Sequence, residues 1–244
     1  MSIADNLARV QEQIDVACRR AGRLPGSVAL LGVSKMHPAA SIVEAYAAGL
    51  RLFGENRVQE FAEKQSALAD AGFFSGDTPA TFYLIGPLQS NKAARAVQLF
   101  DAIDTVDSAR LAEKLNQTAA AANKTLPILL EIKLSEEASK HGLLPESAEL
   151  ALLLERAPDW THLQVRGLMT VPPYSENLEE TRPYFRRLRV LRERLAQQYP
   201  HLALDQLSMG MSHDFSVAIE EGSTCVRIGT AIFGARPTLD TQQG

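Results

Sequence analysis

Residues 204–229 read LDQLSMGMSHDFSVAIEEGSTCVRIG. Two short apolar runs, LDQLSM from Leu204 and CVRIG from Cys225, flank a stretch from Asp214 to Glu221 that reads as a short helix. A strand, a crossover and a second strand in that order predict a parallel pair. Working toward the N-terminus, the same alternation recurs six more times. The runs are LQVRGLM from Leu163, PILLEI from Pro127, AIDTV from Ala102, TFYLIG from Thr81, LRLFG from Leu50 and VALLGV from Val28. Eight strands without a doubled hairpin or an Asn-Gly turn between adjacent runs predict an α/β fold, a closed (β/α)8 TIM-type barrel. An amphipathic helix from Ile3 to Ala21, stopped by Gly22 and Pro25, precedes the first strand as an extra element. With no Ser/Gly-rich linker or shift in composition, residues 1–244 are expected to form a single barrel domain.

Punctuation sets the phase of the repeat. Pro38 stands where a first helical residue belongs, with Gly49 past the end; Asn56 opens a helix that Gly72 follows; Pro145 begins one that stops before Pro158. The chain is 45% hydrophobic and 22% charged with a net charge of -4, which suits a packed globular protein and argues against a nucleic-acid surface. One helix carries Arg182, Arg186, Arg187, Arg189, Arg192 and Arg194, and is expected to be a solvated face. Charges within the first ten residues and the lack of a long apolar run predict a cytoplasmic protein that does not enter a membrane. Cys18 and Cys225, the two cysteines, are expected to be reduced and partly buried. The five histidines show no ligand spacing, so no metal is expected, and no P-loop, dinucleotide fingerprint or Gly-x-Ser-x-Gly elbow is present.

A parallel barrel carries its chemistry where strands end and loops gather around one mouth. The first strand ends in Ser34, Lys35, Met36, His37 and Pro38. Lys35 is either a surface lysine or an amine at the mouth, where desolvation favours the neutral form that condenses with an aldehyde. Arg227 lies inside an apolar run, so its guanidinium needs a buried polar partner. Gly229 and Thr230 follow it, a backbone that a ligand can approach and a hydroxyl, which together suit a phosphate. Ser212, after the seventh strand, is a helix N-cap, a donor to an anion, or both. Asn56 is likewise an N-cap or a ligand to a ring. Ser139, Lys140, His141 and Gly142 place a second amine near the mouth, with a solvated lysine as the simpler role. The loop Ile85 to Lys92 is a further set of donors.

Several segments together resemble one family: LLGVSKMHP around Lys35, FGENRVQE from Phe53, IGPLQSNK from Ile85, SKHG from Ser139, RGLMTV from Arg166 and LSMGMSHDFSVAIEEGSTCVRIGTAIFG from Leu207. The chain resembles the YggS/PROSC (PLPBP) pyridoxal phosphate homeostasis proteins along nearly its whole length. These are related to the N-terminal domain of alanine racemase. The resemblance implies a fold type III barrel holding pyridoxal 5'-phosphate covalently through Lys35. It further implies Arg227 against the pyridine nitrogen, Ser212, Gly229 and Thr230 on the phosphate, the backbone N–H of Met211 beside them, and Asn56 next to the ring. The chain departs from the family at Phe82 and Tyr83, where many members have Trp-His, and at Lys133, where many have Asn.

The role implied by the resemblance is binding, buffering or delivery of the cofactor without turnover, with apo pyridoxal phosphate enzymes as acceptors. An arginine has no proton to share, so opposite the pyridine nitrogen it leaves the ring a weak electron sink. Racemases also draw a base from a second domain and a partner subunit, which this chain is read as lacking; a monomer is expected on the same ground. The alternatives are a weak amino acid racemase with Tyr83 or Lys140 as base, and a cofactor-free Schiff-base aldolase. Lys35 suits the latter poorly, because aldolase lysines usually lie deeper along a central strand.

Overall fold

Alternation within the last strand shows how the barrel is built. Val226 and Ile228 join the buried cluster between sheet and helices, so Cys225 and Arg227 turn the other way, toward the barrel axis. A strand covered on both faces has no solvated side, which explains why the apolar runs were nearly continuous. The computed structural model describes residues 2–71, 73–74, 78–135 and 141–235. Its strands are β1 (Ala29–Val33), β2 (Leu52–Glu55), β3 (Thr81–Leu84), β4 (Ala102–Val106), β5 (Leu126–Glu131), β6 (Leu163–Met169), β7 (Gln206–Met211) and β8 (Cys225–Ile228). They pair in chain order, all parallel, and β8 closes on β1 with Ala29 opposite Cys225 and Leu31 opposite Arg227. The closed α/β barrel expected from the apolar runs is therefore the observed one.

The helices are α1 (Ile3–Arg20), α2 (Ala39–Ala47), α3 (Val58–Asp70), α4 (Ala93–Leu99), α5 (Ala109–Ala121), α6 (Ala148–Arg156), α7 (Arg182–Gln198), α8 (Phe215–Glu220) and α9 (Thr230–Phe233). The additional first helix starts at a capping box, in which Ser2 and Asp5 each accept the other's backbone N–H. Its stripe of Leu7, Val10, Ile14, Ala17 and Cys18 is buried, and the helix packs against α8 and α9.

Several local expectations shift. Pro38 is the N-cap residue of α2, in extended conformation, rather than its first helical residue. Asn56 does not open α3, because Arg57 occupies the N-cap and the helix begins at Val58. The helix placed at Pro145 starts at Ala148, where the Ser147 hydroxyl accepts the Leu150 N–H at 3.2 Å. Gly72, named as the residue after α3, lies outside the described residues. Neither cysteine is in a disulfide; Cys18 is fully buried rather than partly so, while Cys225 is partly exposed.

The arginine helix adds a feature that was not expected. Arg182, Arg186 and Arg189 of α7 converge on the Glu221 carboxylate, with N–O distances of 3.3, 2.9 and 3.3 Å. Arg182 also reaches Glu179 and Glu220 at 2.6 and 2.7 Å. Arg186, Arg187 and Arg194 are exposed, as a solvated face implies, and Arg182, Arg186 and Arg189 in addition form a charged seam joined to the end of α8. Among the described residues no helix is long and apolar enough to cross a membrane, and no cluster of His, Cys, Asp or Glu is arranged to hold a metal.

Candidate functional site

The ends of β1, β2, β3, β5, β7 and β8 surround a cavity of about 710 Å³ at the barrel mouth. Lys35, Asn56, Met211, Ser212, Arg227, Gly229 and Thr230 all line it, so the seven residues that the sequence assigned to the cofactor meet in one place.

Lys35 sits in a tight turn. The His37 N–H donates to the Ser34 carbonyl at 3.1 Å, and Met36 between them has a φ of 64°, a left-handed conformation uncommon for a side-chain-bearing residue. Asn56 is released from capping and lines the cavity, its backbone closely approached by Gly86. A Cβ added at Gly86 would approach the Asn56 carbonyl oxygen to 2.3 Å, so only glycine permits this packing.

Arg227 is 5% exposed. Its guanidinium donates to the Ser208 hydroxyl at 2.7 Å and to the Thr170 carbonyl at 2.8 Å, which supplies the buried polar partners that the sequence required. Both acceptors are neutral. Asp104, buried nearby, has its carboxyl pushed up to about 7 by burial, with the Arg227 charge and a Ser208 hydrogen bond pulling the other way. Arg227 itself is pulled down by burial, opposed by Asp104 first among the surrounding charges. Arg227 thus lines the cavity with neutral groups as its direct hydrogen-bond partners, while Asp104, Glu131 and Asp214 act on its charge from around it.

On the other side of Arg227, the Gly229 N–H donates to the Ser212 hydroxyl oxygen at 3.3 Å, bringing the loops after β7 and β8 together. Ser212 is not an N-cap; Asp214 holds that position before α8. Thr230 is exposed at the rim. The Met211 N–H is committed to Asp214 Oδ1 at 2.6 Å in this structure. Asp214 Oδ2 and His213 Nε2 are buried without a hydrogen-bond partner among the described residues, 3.6 Å apart.

The cavity also has a wall of Glu131, Lys133 and His141, of which sequence reasoning passed over Glu131, with the Tyr174 ring tilted against His213 at 4.9 Å between ring centres. Glu131 is pushed up by burial and by the neighbouring Asp107, with Arg227 and His141 opposing. Its signal was present, since Glu131 lies in PILLEI as Arg227 lies in CVRIG, a charge inside an apolar run. Of the positions that depart from the family pattern, Lys133 lines the cavity whereas Phe82 and Tyr83 do not. Phe82 stacks on Phe53 in the helix-facing layer, and Tyr83 has its phenol pushed up to about 12, mainly by burial and next by Asp104. From the third-strand loop Ile85, Gly86 and Pro87 reach the cavity, while Gln89, Ser90 and Lys92 do not. Ser139 and Lys140 lie outside the described residues. A second, more open groove of about 750 Å³ runs beside α7, but none of the site residues lines it.

An amine, a buried arginine and neutral donors at the mouth of a parallel barrel define the class of the alanine racemase N-terminal domain, whose family model matches residues 6–237. More narrowly, the chain belongs to the pyridoxal phosphate homeostasis protein family. It is 44% identical to the member from Aquifex aeolicus over 97% of this chain and 99% of that one. With the Escherichia coli K12 protein the identity is also 44%, over 96% and 97% of the two chains. The solved structure of PipY from Synechococcus elongatus PCC7942, with PLP bound, superposes with a TM-score of 0.83 at 43% identity, covering 96% of this chain and all of that one. Alanine racemase of Clostridium difficile shares the fold at 14% identity and a TM-score of 0.67, covering 97% of this chain and 58% of the racemase.

Proposed function

We propose that this chain binds pyridoxal 5'-phosphate at the barrel mouth, joined to Lys35, and serves in homeostasis of the cofactor by holding and releasing it rather than by turning over a substrate. The observation carrying this reading is that Lys35, Arg227, Ser212, Gly229 and Thr230 line a single cavity large enough for the cofactor. When bound, the cofactor supplies an aldehyde carbon to the amine and, in enzymes, a ring that accepts electrons. The residues here suit the first role better. Arg227 presents N–H donors to a ring nitrogen and cannot pass it a proton. Ser212, Thr230 and the adjoining backbone offer neutral donors to a phosphate, in the manner seen where barrels bind phosphate after their last two strands.

Retention without turnover is supported by the surroundings of Tyr83. A phenol near 12 and away from the cavity is a poor base at neutral pH, which removes one candidate of the racemase alternative. The reading extends to a cytosolic monomer, one barrel over residues 1–244, handing its cofactor to apo-enzymes. Closure of β8 on β1 completes the sheet without a partner strand, which supports the monomer.

The test uses the loaded protein with alanine and serine in deuterated water, and separately with an apo pyridoxal phosphate enzyme. Negligible α-deuterium incorporation together with reactivation of the apo-enzyme is expected. Racemisation on the order of 1 per second or faster overturns the carrier reading.

A further inference from the structure

Behind the mouth, four side chains form a partly buried network that the proposed chemistry does not use. Lys64 of α3 donates to Glu55 Oε1 at 2.9 Å, to Glu60 Oε1 at 2.8 Å and to the Ser34 carbonyl at 3.1 Å. The Ser34 hydroxyl donates to the same Glu55 oxygen at 2.7 Å. Glu60 Oε1 accepts the Met36 N–H at 2.5 Å. The Ser34 N–H continues the sheet by donating to the Gly54 carbonyl at 3.0 Å.

These bonds share a target. On the N-terminal side of Lys35, the N–H, carbonyl and hydroxyl of Ser34 are all tied; on the C-terminal side, the N–H of Met36 is tied. Met36 needs such support, since its left-handed conformation costs on the order of 1 kcal/mol or more unless the surroundings impose it. Glu55 is completely buried, with Oε2 lacking a partner, and its carboxyl is pushed up by burial, a rise that Lys64 opposes. Glu60 is held below its usual range, because the hydrogen bonds from Lys64 and Met36 outweigh its burial. A network needed only to fasten α3 to the sheet would not have to end on the two residues flanking the amine.

We propose that Glu60 and Lys64 are positioning residues for Lys35, clamping the turn on both sides of it so that the amine stays at the mouth and release of a bound aldehyde is slow. This rests on the assignment of Lys35 as the point of attachment. Loosening the turn lets the Lys35 backbone swing, so the geometry that favours recapture of the aldehyde after each opening is lost. The clamp thereby acts on the off-rate. Assembly of the phosphate cup on the loops after β7 and β8 is untouched.

The test compares the full-length wild type with Glu60→Ala, Glu60→Gln and Lys64→Met. Release of pyridoxal 5'-phosphate is followed by its visible absorbance in the presence of an excess trapping amine. Amide hydrogen exchange at Met36 is followed in protein without ligand, alongside urea unfolding. Glu60→Ala is expected to release the cofactor about tenfold faster, with faster exchange at Met36 and little change in the urea midpoint. Glu60→Gln, which keeps an acceptor oxygen for the Met36 N–H, should recover part of the slow release. Faster exchange at Met36 with unchanged release overturns the proposal; so does equal release from the Ala and Gln variants. Should Glu60→Ala fail to fold, Glu60→Gln and Lys64→Met decide by the same readout, and wild-type release from both overturns it. Lys35→Ala distinguishes the two levels. A full adduct retained elsewhere brings down the attachment site and the clamp together. Loss of the adduct in Lys35→Ala with no effect of the clamp variants brings down the clamp alone.

Discussion

Arg227 and Glu221 are both nearly buried charges, 5% and 4% exposed, at opposite margins of the last βα unit, and they are treated in opposite ways. Glu221 is surrounded by three guanidinium groups and sits below its usual range, because their hydrogen bonds outweigh its burial. Arg227 is given a hydroxyl and a carbonyl, and Asp104, the carboxyl that acts on it most strongly, is pushed up to about 7 by burial. A charge that is fully answered by opposite charges has no attraction left for a ligand. A charge whose direct partners are neutral dipoles keeps a field in the cavity it lines. The first arrangement fastens α7 to α8; the second leaves a group ready for a ring nitrogen or another acceptor.

The sharpest way to break this contrast is through pH. Because the folded-state pKa of Asp104 lies above its ordinary value, the native state binds that proton more tightly than the unfolded chain does. Its contribution is therefore fully present below about 3.8 and is lost as pH rises through about 7. Urea unfolding of the wild type across this window is expected to show a steeper decline than Asp104→Asn, since Glu55 and Glu131, also pushed up, act alike in both. Parallel curves would mean that Arg227 has a full counter-ion after all.

Next in size is Glu221→Ala, which leaves three arginines facing one another and should cost roughly 2–3 kcal/mol of stability, with cofactor affinity unchanged. A loss of affinity comparable to the loss of stability would erase the distinction between the two charges. Arg227→Leu should behave in reverse. Cofactor affinity should fall about tenfold or more, the ~1.5–3 kcal/mol of a hydrogen bond to a charged group, while stability changes less because a buried charge is exchanged for an apolar side chain. Titration by absorbance, with urea unfolding alongside, separates the two effects.

The smallest effects sharpen the neutral half of the site. Ser212→Ala and Thr230→Ala should each weaken binding of pyridoxal 5'-phosphate by ~1 kcal/mol, and leave pyridoxal, which lacks the phosphate, nearly unaffected. Equal losses for both ligands would show that these hydroxyls do not face the phosphate.

The two charges also mark how far sequence could be read. Arg227 was legible because a guanidinium inside CVRIG can be accommodated only with buried partners, whatever they are. Glu131 carried the same signal in PILLEI and was passed over. The arginines of α7 were read only in part: Glu221, the partner of three of them, lies beyond α7 and β7 in the chain, and only packing of α7 beside α8 brings it within reach. Ser212 and Asn56 were each assigned two roles, and in the structure neither is a cap: Asp214 and Arg57 hold those positions, leaving both side chains to the cavity. One-residue differences at a helix start are beyond local pattern, since several neighbouring residues can cap equally well.

By itself, the sequence determined the number and order of the strands, their parallel arrangement and the clustering of functional side chains at strand ends. Those properties follow from short-range alternation and from the rule that a parallel barrel collects its loops at one mouth. Tertiary structure alone decided which charges meet. The clamp of Glu55, Glu60 and Lys64 on the turn of Lys35, the neutral acceptors of Arg227 and the arginine seam at Glu221 all join residues from different βα units. Hydrophobic periodicity records which way a residue points but not what lies opposite it. That depends on the twist and register of the closed sheet, and it sets the desolvation and pairing on which each charge's role depends.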